Sequence, residues 1–386
     1  MSKILKVGKA LTPFEDIGEV AIGIENDKIK KIVPWGEISR EEKVFDYSDA
    51  IASPGFIDIH THGYGGNETT SGEEEDLANF SEAVPKHGVT SFLPSTVTAS
   101  QENLLKVCSS LEDVVERDRK GARILGLHLE GPHVGSGDEA GAQNVEFARS
   151  PDSGELGELF EASGGRIERI TLAPELPGSL EYIGRAGELG ITVAAGHTAA
   201  TYEEAIKGFN AGISICNHLY NGMKGFHHRN PGIIGACLIR DDVYVEMIVD
   251  MHHLHPAAIE MALKAKGVER SILITDSISA TGLPDGEYEL GGLETIVEDG
   301  VCRLEDSGRL AGSTLTMDVA VENMVSKLSV DLTDAVRMAT INPANVLGLQ
   351  KYGRLAPGSI ADITIFDSEF NIMATMIDGE FVYESS

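Results

Sequence analysis

The stretch Ile57-Asp-Ile-His60-Thr-His62-Gly63 is an apolar run that ends in two histidines two positions apart. Alternate side chains of a β-strand lie on the same side, so the pattern predicts two imidazoles facing one way where a strand ends. This run is the first of several apolar segments rich in Ile, Val, Leu and Phe. Eight such segments begin near Phe56, Ser91, Ile124, Ile167, Ile191, Ile213, Val243 and Ile272.

Polar stretches with a helical pattern separate these segments, most of which are about 20–40 residues apart. Examples are residues 73–86, 101–120, 179–189 and 202–210. Eight strands, each followed by a crossover helix, predict an α/β fold of the (β/α)8 barrel class over residues 54–354. A doubly wound open sheet is the alternative. The glycine pattern of a dinucleotide-binding turn does not follow the first strand, so that kind of site is not supported.

Both ends of the chain have the alternating pattern of β-hairpins. Residues 18–33 alternate around Glu25-Asn26-Asp27, and residues 373–383 alternate around Asp378-Gly379. Neither end can bury much apolar surface alone, so residues 1–53 and 355–386 are predicted to form one small β-sandwich domain. The Gly- and acid-rich stretch 283–310 is predicted to be a β-hairpin inserted over the mouth of the barrel.

The charge of the chain limits its partners. With 31 basic and 61 acidic side chains the formal net charge is −30, which argues against nucleic acid or an anionic membrane as the main partner. Apolar runs stay below the roughly 18 residues that a membrane span needs, and the first residues lack the apolar core of a signal peptide. The four scattered cysteines favour reduced, buried thiols. We therefore expect a cytoplasmic protein.

Side chains that bind metals recur where the predicted barrel strands end. They are His60, His62, Glu130, His197, His218, His253 and Asp276. A single histidine in an apolar strand is usually a core residue with satisfied hydrogen bonds. A whole layer of imidazoles and carboxylates would be costly to bury without compensation, and a divalent ion offsets that cost by binding both kinds of group. The pattern therefore predicts a metal centre at the carboxyl ends of the strands.

Five short motifs make a family resemblance specific. They are His128-Leu-Glu-Gly-Pro132, Ala195-Gly-His-Thr198, Asn217-His-Leu-Tyr-Asn221, Asp276, and Leu310-Ala-Gly-Ser313. Their order and spacing resemble the amidohydrolase superfamily and, within it, the N-acetylglucosamine-6-phosphate deacetylases. The resemblance runs from about residue 54 to the end of the chain.

The resemblance implies roles for the clustered residues. Glu130, His197 and His218 match the main metal triad of the family, and His60 and His62 match a second metal position, so one or two ions per chain are expected. Imidazole and carboxylate ligands accept zinc, iron or manganese. Asp276 matches the catalytic acid/base, which would move a proton from water to the leaving amine. His253 matches the histidine that faces the substrate carbonyl.

The resemblance also implies the substrate contacts. Positions that match contacts to a phosphorylated amino sugar are Ala142, Gln143, Asn221, Gly222, Arg229, His253, Leu310, Ala311 and Gly312. Arg229 matches the arginine that binds the phosphate, and it is implied to lie near the interface of a homodimer. Two departures bear on the sugar: Gln143 stands where the family usually has histidine, and Met251 replaces a glycine before His253.

These implications predict a metal-dependent hydrolase that releases acetate from N-acetylglucosamine 6-phosphate. Two rivals stay open at this point. One is another amidohydrolase, either a deacetylase for the galactosamine isomer or an amidase for a substrate without phosphate. The other is a metal-binding barrel without catalysis, against which the presence of Asp276 counts.

Overall fold

The computed structural model describes residues 3–38, 43–115 and 120–385. The end of the second predicted helix, 116–119, lies outside these ranges, as do residues 1–2, 39–42 and 386 of the predicted terminal domain. The first strands are β1 (Lys3–Ala10), β2 (Val20–Glu25), β3 (Lys28–Val33) and β4 (Lys43–Pro54). Strands β2 and β3 form the predicted antiparallel hairpin around Asn26.

The barrel begins one residue after β4. Its strands, with a short hairpin β6–β7 after the first of them, are β5 (Phe56–Thr61), β6 (Gly63–Tyr64), β7 (Asn67–Glu68), β8 (Val89–Pro94), β9 (Arg123–Ile124), β10 (Leu127–Glu130), β11 (Ile167–Leu172), β12 (Thr192–Ala195), β13 (Ile213–Cys216), β14 (Tyr244–Ile248) and β15 (Ser271–Ile274). Strands β9 and β10 together occupy the third of eight barrel positions. All eight predicted strand segments are present.

The barrel consists of two parallel ladders of strands, which meet at two seams and so close it. The ladders are β5-β8-β9 and β10 through β15 in chain order. At one seam Ser95 pairs with His128, and at the other the Asp276 N–H donates to the carbonyl oxygen of His60 at 2.9 Å. The closed parallel arrangement supports the predicted barrel over the open doubly wound sheet.

Helices alternate with the barrel strands, as the polar segments predicted. They are α1 (Glu74–Ala83), α2 (Gln101–Val115), α3 (Ser153–Ala162), α4 (Ser179–Glu188), α5 (Tyr202–Ala211), α6 (Gly232–Ile239), α7 (Pro256–Lys266), α8 (Met317–Ser326), α9 (Leu332–Ala339) and α10 (Ile341–Val346). A side-chain cap marks the start of α3, α5 and α7. Thr201 and Glu204, for example, satisfy each other's backbone N–H groups where α5 begins.

The insertion after β15 is a small antiparallel sheet. Its strands are β16 (Gly286–Leu290), β17 (Leu293–Glu298) and β18 (Val301–Leu304), so the predicted hairpin has a third strand. Apolar side chains of this sheet, including Leu290, pack on Val97 and Ile278 from loops at the carboxyl ends of barrel strands. The sheet is therefore held at the mouth of the barrel as a lid.

Strands from both chain ends pair into one sheet. The last strands are β19 (Ile363–Phe366), β20 (Ile372–Ile377) and β21 (Glu380–Glu384), and the sheet order is β21-β20-β19-β4-β1-β2-β3. The described strands of the two ends thus belong to a single seven-stranded sheet, and the predicted two-layer sandwich is not confirmed. The division into two domains at 53/54 and 354/355 stays a prediction. Arg123 links sheet and barrel through ion pairs to Asp362 and Asp378, each at 2.6 Å.

Composition led to two predictions, one about membrane-spanning helices and one about the cysteines. Every helix within the described ranges is too short or too polar to cross a bilayer. The four cysteines are free and buried, as predicted.

Candidate active site

The predicted metal ligands lie where five barrel strands end. His60 lies within β5 and His62 follows it, Glu130 ends β10, and His197, His218 and Asp276 each lie two residues beyond β12, β13 and β15. A parallel barrel brings all these strand ends to one face. Six side chains spread over more than two hundred positions of the chain therefore meet in one cluster.

Glu130 is at the centre of the cluster and is 2 % exposed. Its Oε1 atom lies 3.1 Å from His60 Nε2, 3.1 Å from His218 Nε2 and 3.3 Å from His197 Nε2. The Nε2 atoms of His197 and His218 are themselves 3.2 Å apart. Three imidazole nitrogens thus converge on one carboxylate oxygen in a dry environment.

Asp276 completes the cluster beside His60 and His62. Its Oδ1 atom lies 3.0 Å from His62 Nε2 and 3.7 Å from His60 Nε2. Two groups of donors each have ligand atoms that lie within 4.8 Å of one another: His60, His62 and Asp276, and His60, Glu130 and His218. His60 belongs to both groups, which places two potential metal positions side by side.

The charges of the cluster are strongly coupled. Burial alone would lower the pKa of His60, but the carboxylates of Glu130 and Asp276 raise it to about 10. Burial would likewise raise the pKa of Asp276, but the positive field of His60 and the hydrogen bond with His62 hold it at about 2. The carboxylates therefore favour a positive charge beside them, which a proton on His60 supplies in the protein alone.

A divalent ion fits this demand. The Nε2 atom of His60 is buried and has no hydrogen-bond partner of acceptable geometry, although it faces two carboxylates. An orphaned nitrogen in such a place is costly unless a cation accepts its lone pair. Neutral imidazoles with carboxylates are ligands typical of zinc, iron and manganese sites. The residues present thus suit a metal centre, in agreement with the sequence prediction.

A second layer of buried charge lies beneath the ligands. Glu246 Oε2 is 3.2 Å from His60 Nδ1, and the same carboxylate pairs with the guanidinium of Arg169. Arg169 Nη2 also donates to Asn217 Oδ1 at 2.6 Å, and Asn217 Nδ2 donates to Glu130 Oε1 at 3.1 Å. When Nδ1 of His60 donates to Glu246, its Nε2 is left as the ligand atom, and this layer therefore orients the imidazole.

The backbone has positive φ at three of the clustered residues. The angle is 48° at His197, 20° at His218 and 51° at Asp276, values that non-glycine residues rarely adopt. Two close neighbours must be glycines: a Cβ atom on Gly222 would lie 2.8 Å from His197 Nδ1, and one on Gly312 would lie 2.9 Å from the Asp276 carbonyl oxygen. Such strain is characteristic of sites where geometry serves function.

A cavity opens above the cluster. Its volume is about 250 Å³, just below the range of about 300–1,000 Å³ typical of small-molecule sites. Side chains and backbone of sixteen residues line it: His62, Val97, Glu130, Gly141, Ala142, Gln143, His197, His218, Asn221, Gly222, His253, Asp276, Leu290, Arg309, Leu310 and Gly312. The predicted contacts Ala142, Gln143, Asn221, Gly222, His253, Leu310 and Gly312 are thus at the cavity wall.

Two polar side chains in the wall are held in defined orientations. Gln143 Oε1 accepts the Thr98 N–H at 2.6 Å, which turns its amide nitrogen toward Glu130 Oε2 at 2.8 Å. His253 Nδ1 is 2.6 Å from Asp250 Oδ2, and its other ring nitrogen is left for a ligand. The neighbouring His252 is exposed, so the structure favours His253 as the histidine of this loop that faces the cavity.

Two predicted contacts lie outside the wall. Ala311 is fully buried in the core of the lid, between two lining residues. Arg229 is exposed, and its guanidinium lies 2.8 Å from His228 Nε2. Within the described chain Arg229 does not line the cavity, so its predicted contact with a phosphate requires a second copy and stays a prediction.

Sequence reasoning missed several residues of the site. Arg309 lines the cavity although it carries no predicted role; its position directly before the Leu310 motif was the available signal. Arg169 and Glu246 were also missed, and the signal was a charged residue in the middle of a buried barrel strand. His128 donates or accepts at both ring nitrogens, to Ser95 Oγ and Thr171 Oγ1, and is therefore a satisfied core residue.

Comparison with known proteins identifies the family. The family described as "Amidohydrolase family" matches residues 51–382, most of the chain. The protein is an amidohydrolase. The predicted superfamily resemblance is thereby confirmed, and the match covers the barrel together with β19, β20 and most of β21 of the end sheet.

Individual relatives of this amidohydrolase are more specific. An N-acetylglucosamine-6-phosphate deacetylase from Lysinibacillus sphaericus is 39 % identical over 326 residues, 84 % of each chain. An N-acetylgalactosamine-6-phosphate deacetylase from Escherichia coli O157:H7 is 37 % identical over 381 residues, covering 98 % of this chain and 99 % of the relative. A variant of the N-acetyl-D-glucosamine-6-phosphate deacetylase from Mycobacterium smegmatis, solved with N-acetyl-D-glucosamine-6-phosphate, superposes with a TM-score of 0.93 at 34 % identity over 99 % of both chains.

Proposed function

We propose that this amidohydrolase is a metal-dependent deacetylase that converts N-acetylglucosamine 6-phosphate and water to glucosamine 6-phosphate and acetate. The observation that carries the proposal is the convergence of Glu130, His197 and His218, whose facing atoms lie within 3.3 Å of one another, with Asp276 at the base of a cavity. Relatives that share at least a third of the sequence over most of their length and carry this name support it.

The metal centre is formed by residues of this chain. Glu130, His197 and His218 would hold one divalent ion. His60 with His62 and Asp276 would contribute to a second position. When bound, such an ion polarises an amide carbonyl and lowers the pKa of a water molecule. Zinc, iron and manganese all suit these ligands.

Asp276 moves the proton in this mechanism. Its carboxylate, ionised and buried beside His62, accepts a proton from the attacking water. The water oxygen forms a bond to the acetyl carbon, the carbon–nitrogen bond breaks, and the same proton passes from Asp276 to the departing amine. Asp276 therefore ends the cycle ionised, as it began.

Two wall residues bind and orient the acetamide. The Nε2 of His253 faces the cavity while Asp250 holds the ring, and this nitrogen is assigned to the carbonyl oxygen of the substrate. The amide nitrogen of Gln143 is directed into the cluster and contacts a substrate oxygen beside it. Leu310 and Gly312 of the lid cover the sugar ring, and the turn at Asn221 and Gly222 contacts the phosphorylated side.

The assembly is part of the proposal. We expect a cytoplasmic homodimer in which Arg229 of one copy contacts the substrate phosphate in the cavity of the other. The exposed position of Arg229, outside the cavity of its own chain, is compatible with such an exchange.

A second candidate substrate is N-acetylgalactosamine 6-phosphate. It differs from the first only in the configuration of one hydroxyl group, and the relative from Escherichia coli O157:H7 that carries this activity in its name covers almost the whole chain. The reaction and the metal centre would be unchanged.

The experiment is acetate release across a panel of N-acetylhexosamines, with and without the 6-phosphate, on protein whose metal content is measured. The proposal expects the highest kcat/KM with N-acetylglucosamine 6-phosphate and one to two metal ions per chain. A preference for the galactosamine isomer would select the second candidate. Absence of acetate release from every member in metal-loaded protein would overturn both.

A further inference from the structure

The cavity wall contains one permanent positive charge. Of the sixteen residues that line the cavity in the described chain, only Arg309 is an arginine or lysine. The wall otherwise has carboxylates, imidazoles, two amides and apolar groups. A phosphate dianion entering a chain of net charge −30 needs a local cation, and guanidinium suits phosphate because its donors form a planar, always charged fork.

Arg309 lies at the mouth of the cavity because of its place next to the lid. It follows the turn after β18, where its carbonyl oxygen accepts the Leu304 N–H at 2.8 Å, and it precedes the cavity-lining Leu310. Its Nη2 atom lies 2.8 Å from Oδ1 of Asp138, an acid whose side chain is 99 % exposed. The guanidinium, which is 46 % exposed, thus has only a solvated, easily displaced carboxylate as its ionic partner in the described structure.

Asp138 lies beside the part of the wall predicted to contact the phosphorylated side of the sugar. The carbonyl oxygen of its neighbour Glu139 is 3.1 Å from His197 Nδ1. A Cβ atom on Gly222 would lie 3.2 Å from the same carbonyl oxygen, so the Gly222 turn packs directly on this loop. Arg309 therefore approaches the cavity from the side of Gly222, through Asp138.

We propose that Arg309 is a specificity-determining residue that binds the phosphate of the substrate from within the same chain, exchanging its contact with Asp138 for the phosphate oxygens. This inference rests on the proposed function and adds to it a phosphate ligand that does not depend on a second copy. Asp138 holds the guanidinium in place until the substrate arrives.

Four variants test this assignment: Arg309→Ala, Arg309→Lys, Asp138→Asn and, as the matched control, Arg303→Ala. Arg303 is on the same lid, its guanidinium donates to the Gly308 carbonyl oxygen at 3.0 Å, and it does not line the cavity. Each is assayed with N-acetylglucosamine 6-phosphate and with N-acetylglucosamine. Inhibition by inorganic phosphate is measured on all variants, so that a slow reaction with the plain sugar does not decide the test.

Arg309→Ala is expected to lower kcat/KM for the phosphorylated sugar by about 10- to 150-fold, the worth of a charge-assisted hydrogen bond, and to weaken inhibition by phosphate similarly. The plain sugar and Arg303→Ala are expected to be unaffected. Arg309→Lys is expected to recover part of the loss, because a point charge cannot reproduce the fork. Asp138→Asn removes the ionic partner of the guanidinium. We expect this variant to bind the phosphorylated substrate at least as tightly as the unmodified enzyme does.

Two results would overturn the inference. Equal losses with both sugars, shared by Arg309→Ala and Asp138→Asn, would make the pair a structural latch of the lid. An Arg309→Ala enzyme that keeps both kcat/KM and phosphate inhibition would place the phosphate elsewhere, with Arg229 of a second copy next in line. Failure of the proposed function itself is distinguishable, because the unmodified enzyme would then release acetate from neither sugar.

Discussion

The floor and the rim of the cavity follow different physical rules. The floor is the cluster of Glu130, His60, His62, His197, His218 and Asp276, all of them buried. The rim comprises Asp138 and Arg309, with side chains that are 99 % and 46 % exposed, and the exposed Arg229. Floor residues leave neighbouring strands of one barrel, so strand register sets their positions. Rim residues are on loops and on the lid, and solvent screens their charges.

This difference indicates which residues provide binding energy and which determine selectivity. A buried ligand has no alternative partner, so its loss leaves several charged neighbours unsatisfied at once. An exposed cation contributes little to folding and is free to exchange its partner for a ligand. Changes at the floor should therefore abolish the reaction with every substrate, whereas changes at the rim should alter only the preference among substrates.

The largest effect is expected at the floor, in His218→Ala or His197→Ala. Either variant removes a ligand nitrogen within 3.3 Å of Glu130 Oε1, and we expect the tightly held metal ion and nearly all acetate release to be lost. Metal content and activity are measured on the same samples. His252→Ala is the matched control, since this exposed histidine does not line the cavity. Full activity of the His218→Ala enzyme would show that the floor does not hold the functional ion.

Asp276→Asn is the next largest change. The variant keeps the shape of the side chain but cannot accept a proton from water, and we expect kcat to fall by about 10²- to 10⁴-fold with metal still bound. Asp241→Asn, in an exposed loop, serves as the control. A loss of less than tenfold would assign the proton transfer to another group.

Arg229→Ala tests the rim across two copies of the chain. We expect kcat/KM for N-acetylglucosamine 6-phosphate to fall by about 10- to 150-fold, because one charge-assisted contact to the phosphate is removed. The reaction with the plain sugar should be unchanged. A second experiment mixes this variant with an inactive Asp276→Asn chain. We expect about a quarter to a half of the activity to return, and only under conditions in which the two chains exchange subunits. Equal losses with both sugars would make Arg229 a structural residue.

Glu246→Gln tests the layer under the floor and is expected to have the smallest effect on the reaction. Without the carboxylate, His60 is oriented less firmly, and metal affinity should fall by about 10- to 100-fold. Arg169 would lose its buried partner, so the free energy of unfolding should also decrease. Metal titration and chemical unfolding follow the two effects separately. Unchanged metal affinity in a destabilised variant would restrict the pair to a role in folding.

The comparison of floor and rim also explains what sequence reasoning could achieve. His60 and His62 are two positions apart in a strand, and Glu130, His197, His218 and Asp276 follow other strands; a barrel brings these ends together whatever the loops between them do. The floor was therefore predictable once eight strands were recognised. The resemblance to a known family then added a role for each of these side chains.

The remaining features depend on contacts between distant loops. Arg309 reaches the cavity because a three-stranded lid packs on Val97 and Ile278, and no local pattern indicates where such a lid comes to rest. Arg169 and Glu246 pair across the barrel interior, so neither charge has a sequence neighbour that predicts the other. The alternating pattern of the chain ends predicted strands but could not decide between two sheets and the one sheet they form.

The central claim is that a divalent ion held by the floor is required for deacetylation of a phosphorylated N-acetylhexosamine. Its most direct test is acetate release from N-acetylglucosamine 6-phosphate by protein stripped with a chelator and then titrated with zinc, iron or manganese. We predict that activity disappears when the metal is stripped and returns when one to two ions are bound per chain. In His218→Ala we predict that activity does not return. Full turnover of the metal-free protein would contradict it.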